Sequence, residues 1–291
     1  MTREEPASAQ LQAVTRCLAE LQTSIVATGV RAFDGWLDRL VIYTLIARMS
    51  GLTDPSAGTP ISAHAIAASL GRPYETVRRH VNALVADGLC LRAGSHVRAA
   101  RAGLERPHIA RLMHLTHDVF VRFVEDLALA GEALPAPRAN GGYHFAVGVQ
   151  AVIDIMLAVI QTNREKHAGW LDLVLFSTVA AANCRATPAG APVVPATLPV
   201  SAASVARTLA LNPATVSRHL VFMTGTGQLR RANGGYLVNG DWLNHPTARA
   251  VTEQSLHNIR RLFATIAARG FPFDRPGDAY LRSRPPLTTI G

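Results

Sequence analysis

The chain has 291 residues, is 48% hydrophobic, and carries 29 Lys+Arg against 20 Asp+Glu, a net charge of +9. That apolar content excludes a disordered chain and suffices for about two domains with cores of their own. The positive balance favours a polyanionic partner, and it is uneven: residues 1–139 hold 15 Arg against 13 acidic residues, residues 140–291 hold 14 Lys/Arg against 7.

Cys17, Cys90 and Cys184 are scattered and odd in number, which argues against a disulfide framework or a cysteine-type zinc site and favours a reducing, cytoplasmic setting. The opening MTREEPASAQ lacks the basic and apolar regions of a signal peptide. The apolar stretch Phe145 to Ile160, interrupted by Gln150 and Asp154, reads as a buried helix, too short and too polar for a membrane span.

Leu11, Val14, Leu18, Leu21 and Ile25 make one helical stripe, so a long helix opens the chain. A second helix is predicted over about 35–50, followed by a linker to Pro60. Ser62 is a good N-cap for a short helix whose buried stripe is Ile66/Leu70. A break at Gly71-Arg72-Pro73 leads into a further helix over about 74–87, closed by Gly88. A small hairpin (89–99) comes next, then a long helix from about Pro107 to Ala130, ending at Gly131. A Pro/Gly-rich seam at 135–142 separates this half from the next.

The same order then returns. Pro199–Ala232 repeats Pro60–Ala93 at an offset of 139 residues without a gap, with 12 of 34 positions identical. Gly35-Trp36-Leu37-Asp38 returns as Gly169-Trp170-Leu171-Asp172, at an offset of 134. The second half is predicted to hold a helix over about 145–160, apolar nearly all round and therefore the more deeply buried of the two opening helices. It continues with a helix over 169–183, a helix N-capped by Ser201, and a helix over 213–226 started by Asn212-Pro213. A hairpin about Asn233-Gly234-Gly235 and a helix over 246–269 complete the copy, and the Pro-rich tail 271–291 is expected to be irregular. A period this long marks duplicated domains rather than a solenoid. The boundaries are 1–137 (helix pair 62–87, hairpin 89–99) and 138–270 (helix pair 201–226, hairpin 228–239).

Helix, tight turn, helix and hairpin, with Thr76-Val77-Arg78-Arg79-His80-Val81 and Thr215-Val216-Ser217-Arg218-His219-Leu220 in the second helices, resemble the winged helix-turn-helix domains of bacterial regulators of the MarR, ArsR and Crp types. The resemblance covers about 40 residues in each copy. It implies a mainly α fold with small β-wings, two winged helix-turn-helix domains in tandem. Long flanking helices would join them as an intrachain pseudo-dimer. It implies a sequence-specific transcription regulator that binds double-stranded DNA and needs no cofactor, metal or catalytic residue.

The buried stripe leaves Tyr74, Glu75, Thr76, Arg78, Arg79 and Asn82 outside in the first copy, and Ala214, Thr215, Ser217, Arg218 and Val221 in the second. Such a face can enter a major groove: arginine pairs with guanine, asparagine with adenine, and glutamate accepts from cytosine. His80 and His219 lie at the margin of the stripe, able to reach phosphate or to close the core. Arg92, Arg98, Arg230 and Arg231 on the hairpins suit phosphate or minor-groove contact. Two rivals stand beside this reading: a plasmid-type replication initiator with tandem winged helices, and a winged-helix scaffold that binds protein. A small-molecule effector is expected between the repeats, against helices 11–26 and 145–160, and two chains can pair as a homodimer. His114 and His117 read as exposed polar residues in preference to metal ligands, and Cys90 as a small core residue.

Overall fold

The computed structural model describes residues 4–136, 142–163, 167, 169–194 and 197–291, and most of the interdomain seam expected at 135–142 lies outside them. The protein is mainly helical with small sheets. The first copy runs α1 (Glu4–Ala32), α2 (Leu37–Ser50), β1 (Ile61–Ser62), α3 (Ala63–Leu70), α4 (Tyr74–Ala86), β2 (Cys90–Ala93), β3 (His96–Ala99), α5 (Arg101–Leu104) and α6 (Pro107–Leu129). The second runs α7 (Phe145–Thr162), α8 (Trp170–Asn183), α9 (Ala202–Leu209), α10 (Pro213–Gly225), β4 (Leu229–Ala232), β5 (Gly235–Val238), α11 (Gly240–Asn244) and α12 (Pro246–Ala267), with one 3-10 turn at Pro276–Ala279.

From α3 to β3 every element recurs, end for end, 139 residues later. Local chemistry accounts for this. Ser62 Oγ accepts from Ala65 N, and Ser201 Oγ from Ser204 N, so both short helices carry the expected cap. Asn212 Oδ1 accepts from Ala214 N and Thr215 N at the head of α10. The left-handed turn after α3 is made by Gly71 at φ 62°, and after α9 by Ala210 at φ 50°. An L-residue with a side chain is strained there.

Each hairpin is antiparallel, with Arg92 opposite Val97 and Arg231 opposite Tyr236. Sequence reasoning missed a third partner: Ile61 pairs with Val97, and Val200 bridges Tyr236 at the equivalent place. It also missed α5 and α11, the single turns that link each hairpin to its long helix.

The residues divide into two compact units, Thr28–Thr116 and Met1–Ala27 with His117–Gly291, and the divisions fall inside α1 and α6. In the smaller unit, α2, α3, α4 and the sheet surround Ile66, Val77, Val81 and Leu84, all with no exposed surface, while Leu70 is only half-buried. In the larger unit Val205, Leu209, Val216, Leu220 and Met223 do the same.

Relative burial of the two opening helices is the reverse of the expectation. α7 leaves Phe145 and several other side chains half-buried, whereas α1 is buried nearly all round from Gln12 to Val30, charged residues included. The larger unit can hold those charges because it pairs them. Arg16 Nε donates to Glu20 at 2.7 Å, and its Nη1 donates to Thr187 Oγ1 at 2.7 Å and to the Pro188 carbonyl at 2.5 Å. Burial pushes the Glu20 carboxyl up, and the Arg16 guanidinium opposes it. By length and composition α7 reaches what a membrane crossing needs, contrary to the sequence reading, although nearly half of it is buried in protein.

The tail follows an irregular path but is firmly held. Phe271 and Phe273 are buried against Phe120, Tyr143 and Phe263, with ring centroids 4.7–5.3 Å apart. Arg122, itself buried, donates to the Pro285 and Pro286 carbonyls at 3.1 and 2.7 Å.

Candidate nucleic-acid interface

The anchors beneath each candidate face come from the short Gly-Trp-Leu-Asp repeat. In the smaller unit Asp38, near the start of α2, accepts from Arg72 in the turn before α4, with Nε at 3.0 Å and Nη2 at 2.5 Å. In the larger unit Asp172, near the start of α8, instead bonds His219 Nδ1 on α10 at 2.5 Å. His80, the residue equivalent to His219, is buried edge-on to Trp36 at 5.7 Å. Burial pulls its imidazole pKa down, and nearby Asp38 partly offsets this. His80 is thus part of its own core, whereas His219 is held by Asp172 and keeps about a third of its side chain exposed.

A second pair of anchors ties the hairpins down. Ser50 Oγ, at the end of α2, accepts from Ala99 N at 2.8 Å. Asn183, at the end of α8, donates to the Tyr236 carbonyl at 3.1 Å and accepts from Val238 N at 2.9 Å. A buried polar residue closing a helix just before a linker was the available signal in sequence.

On α4, Tyr74, Glu75, Arg78, Arg79 and Asn82 are exposed and Thr76 is half-buried. They share the face opposite Val77, Val81 and Leu84. Two of the polar groups are tied up: Arg78 makes a two-pronged pair with Glu75, Nε to Oε2 at 2.8 Å and Nη2 to Oε1 at 2.7 Å. That contact holds the Glu75 carboxyl below its usual range. Arg92 reaches from β2 to donate to Asn82, so hairpin and helix face are continuous. Arg98 on β3 is half-buried, and Arg79 extends into solvent with no hydrogen bond among the described residues.

On α10, Ala214, Arg218 and Val221 are exposed, and Thr215, Ser217 and His219 are half-buried. Arg218 Nη2 lies 3.5 Å from Thr215 Oγ1. Phe222, which the sequence reading passed over, is 48% exposed beside Val221 at 51%, so this face is more apolar than its twin. Arg230 and Arg231 are exposed on β4, and the Arg231 guanidinium lies over the Tyr236 ring at 4.2 Å.

The structure corrects the reading of His117. It is fully buried, with Nδ1 3.0 Å from Asp118 Oδ1 and Nε2 3.1 Å from the Tyr143 hydroxyl, and Asp118 in turn accepts from Leu281 N at 2.8 Å. This chain of bonds locks the tail, a long-range role that a spacing of three along a helix does not reveal. Among the described residues no group of three or more His, Cys, Asp or Glu is placed to hold a metal ion. All three cysteines are buried, and burial pushes Cys90 up to about 12 and Cys184 up to about 11, so neither thiol is poised to react at neutral pH.

No protein-family model matches the chain, and neither a curated protein nor a solved structure is similar to it.

Proposed function

We propose that the protein is a sequence-specific, double-stranded DNA-binding transcription regulator with two winged helix-turn-helix repeats, whose recognition helices are α4 and α10. One observation carries the reading. In both copies the second helix of the pair turns an arginine-bearing face outward beside a hairpin whose arginines are also exposed: Arg78 and Arg79 with Arg92, and Arg218 with Arg230 and Arg231. A helix of this kind fits the major groove, and flanking arginines supply phosphate contacts. Internal ties on Asp38, Ser50, Asp172 and Asn183 hold each helix and hairpin as one body, which positions a reading face.

Footprinting across the whole genome with the purified full chain tests this. Protected promoters are the expected result, and affinity should fall steeply with salt because the arginines displace counterions. Protection confined to a replication origin with repeated sites would move the assignment to an initiator. No protection, or an affinity indifferent to salt, would remove DNA as the partner and leave a protein-binding scaffold.

A further inference from the structure

The C-terminal half of α10 departs from its twin on the outer face. Where α4 has Asn82 and Ala83, α10 has Val221 and Phe222, and where Asp87 closes α4, Thr226 closes α10. Val221 and Phe222 each keep about half their surface in solvent. Gly225 stands one turn on, and a Cβ there would meet nothing within 4 Å, so the surface beside the pair is open. The first copy builds the same scaffold without these apolar side chains, so the fold does not require them.

Arginines flank the pair. Arg218 lies three and four residues before Val221 and Phe222, hence on the same face of the helix. In the first copy the hairpin residue Arg92 reaches Asn82. The equivalent residues here are Arg231 and Val221, and β4 packs on α10, so Arg231 borders the apolar pair from the hairpin. Its guanidinium is steadied over the Tyr236 ring at 4.2 Å. Between Asp172 and Asp241 the sequence holds five arginines and no acidic residue, and Asp172 itself is buried against His219.

An apolar partner alone would leave Arg218 and Arg231 without counter-charge. A phosphate backbone alone would leave Phe222 without an apolar partner. A second copy joined through the same face would set arginine against arginine. A lipid surface takes wider apolar faces than this pair on a helix whose other side is the domain core. Aromatic residues together with arginine are the composition of protein-binding centres. We propose that this end of α10, with Arg231 of the hairpin, docks a protein segment in which acidic residues alternate with bulky apolar ones. Its apolar side chains lie on Val221 and Phe222, and its carboxylates on Arg218 and Arg231. This docking goes beyond the DNA reading and does not depend on it: the two share the arginines but not Phe222, so substituting Phe222 tells them apart.

The test presents a displayed library of random dodecapeptides to the full chain, without DNA, and measures the enriched peptides by fluorescence anisotropy. They are expected to combine Asp or Glu with Leu, Ile, Phe or Trp, and to bind more weakly as salt rises. Phe222→Ala, which restores the residue of the first copy, should weaken them at least about tenfold. Arg218→Gln should weaken them several-fold. Leu91→Ser, which removes an exposed apolar side chain of the other unit, should leave them unchanged. Thermal melts check that each variant folds, and Val221→Asn, again the residue of the first copy, stands in should Phe222→Ala not fold. No enriched peptide, enriched peptides without acidic residues, or undiminished binding by a folded Phe222→Ala variant would each overturn the assignment. So would Phe222-dependent binding of phosphatidylglycerol vesicles, or Phe222-dependent self-association in sedimentation, in place of peptide binding; these would give the face to lipid or to a second copy.

Discussion

Arg79 and Glu75 stand one turn apart on the exposed face of α4, and their substitutions should move DNA affinity in opposite directions. Arg79 has no hydrogen bond among the described residues, so it gives up little to contact DNA. Removing such an arginine contact costs about 1–3 kcal/mol, roughly 5–150-fold in Kd. Arg79→Ala should therefore weaken binding within that range while leaving folding stability within about 0.5 kcal/mol, as is usual for a surface change. Arg78 is otherwise placed, because it must first give up its two-pronged contact with Glu75. An exposed pair of that kind is screened by solvent and is weak. Glu75→Gln frees Arg78 and removes a negative charge from the face, so binding should tighten by up to about fivefold. Fluorescence anisotropy on a duplex drawn from the footprint, at one fixed salt concentration, measures both, with thermal melts as the control. Unchanged binding by a stable Arg79→Ala variant would refute the assignment of this face. A tenfold loss in Glu75→Gln would mean that the carboxylate itself reads a base and that the pair opens on DNA.

Three further outcomes follow from the same geometry. Ala210 occupies the left-handed position that Gly71 fills in the other copy, so Ala210→Gly should stabilise the protein by up to about 1 kcal/mol, seen as a raised midpoint in denaturant. Phe271→Ala removes a fully buried ring that touches Phe120 and Tyr143, and should cost about 3–5 kcal/mol in chemical denaturation if the tail is part of the core. His80 has its pKa lowered by burial, so the unfolded chain takes up the proton first. Its contribution is present above the unfolded value of about 6.5 and is lost as pH falls below it. Melts of the full chain between neutral and mildly acidic pH should show this loss, and His80→Gln should reduce the pH dependence.

How much of this was legible in sequence depended on how far each residue acts along the chain. Caps and turns are decided within four residues. Ser62, Ser201, Asn212 and the Asn233-Gly234 turn therefore stand where local chemistry put them, and an ungapped offset of 139 carries over into matching elements. The outer face of α4 was readable too, because a buried stripe fixes the opposite side of a helix, whereas on α10 the exposed Phe222 was missed. The hidden features are the long-range ones. Arg16 and its acceptor Thr187 are 171 residues apart, so nothing near position 16 announces that a charged, mixed helix is the buried one. His117 looked exposed because its partner Tyr143 lies 26 residues on, past the end of its own helix. The tail carries Phe271 and Phe273 without periodicity, and aromatic residues off a regular element give no signal of what they cover.

Comparing the copies separates what the scaffold requires from what the face is free to vary. The positions facing each core are kept in kind, Val77 with Val216 and Val81 with Leu220, all fully buried. The aspartate of the short repeat is also kept, but it grips a turn arginine in one copy and a helix histidine in the other. His219 is thereby held by Asp172, and the outward groups of α10 are Arg218 at its centre with Val221 and Phe222 beyond. The corresponding surface of α4 offers Glu75, Arg78 and Asn82, groups able under the proposed function to hydrogen-bond to base edges, where α10 offers Ala214, Ser217 and Val221, small or apolar side chains that would suit a thymine methyl. Under the proposed function the two heads cannot prefer the same bases. A single chain would then recognise two unrelated half-sites, and an inverted repeat would arise only if two chains pair on one operator.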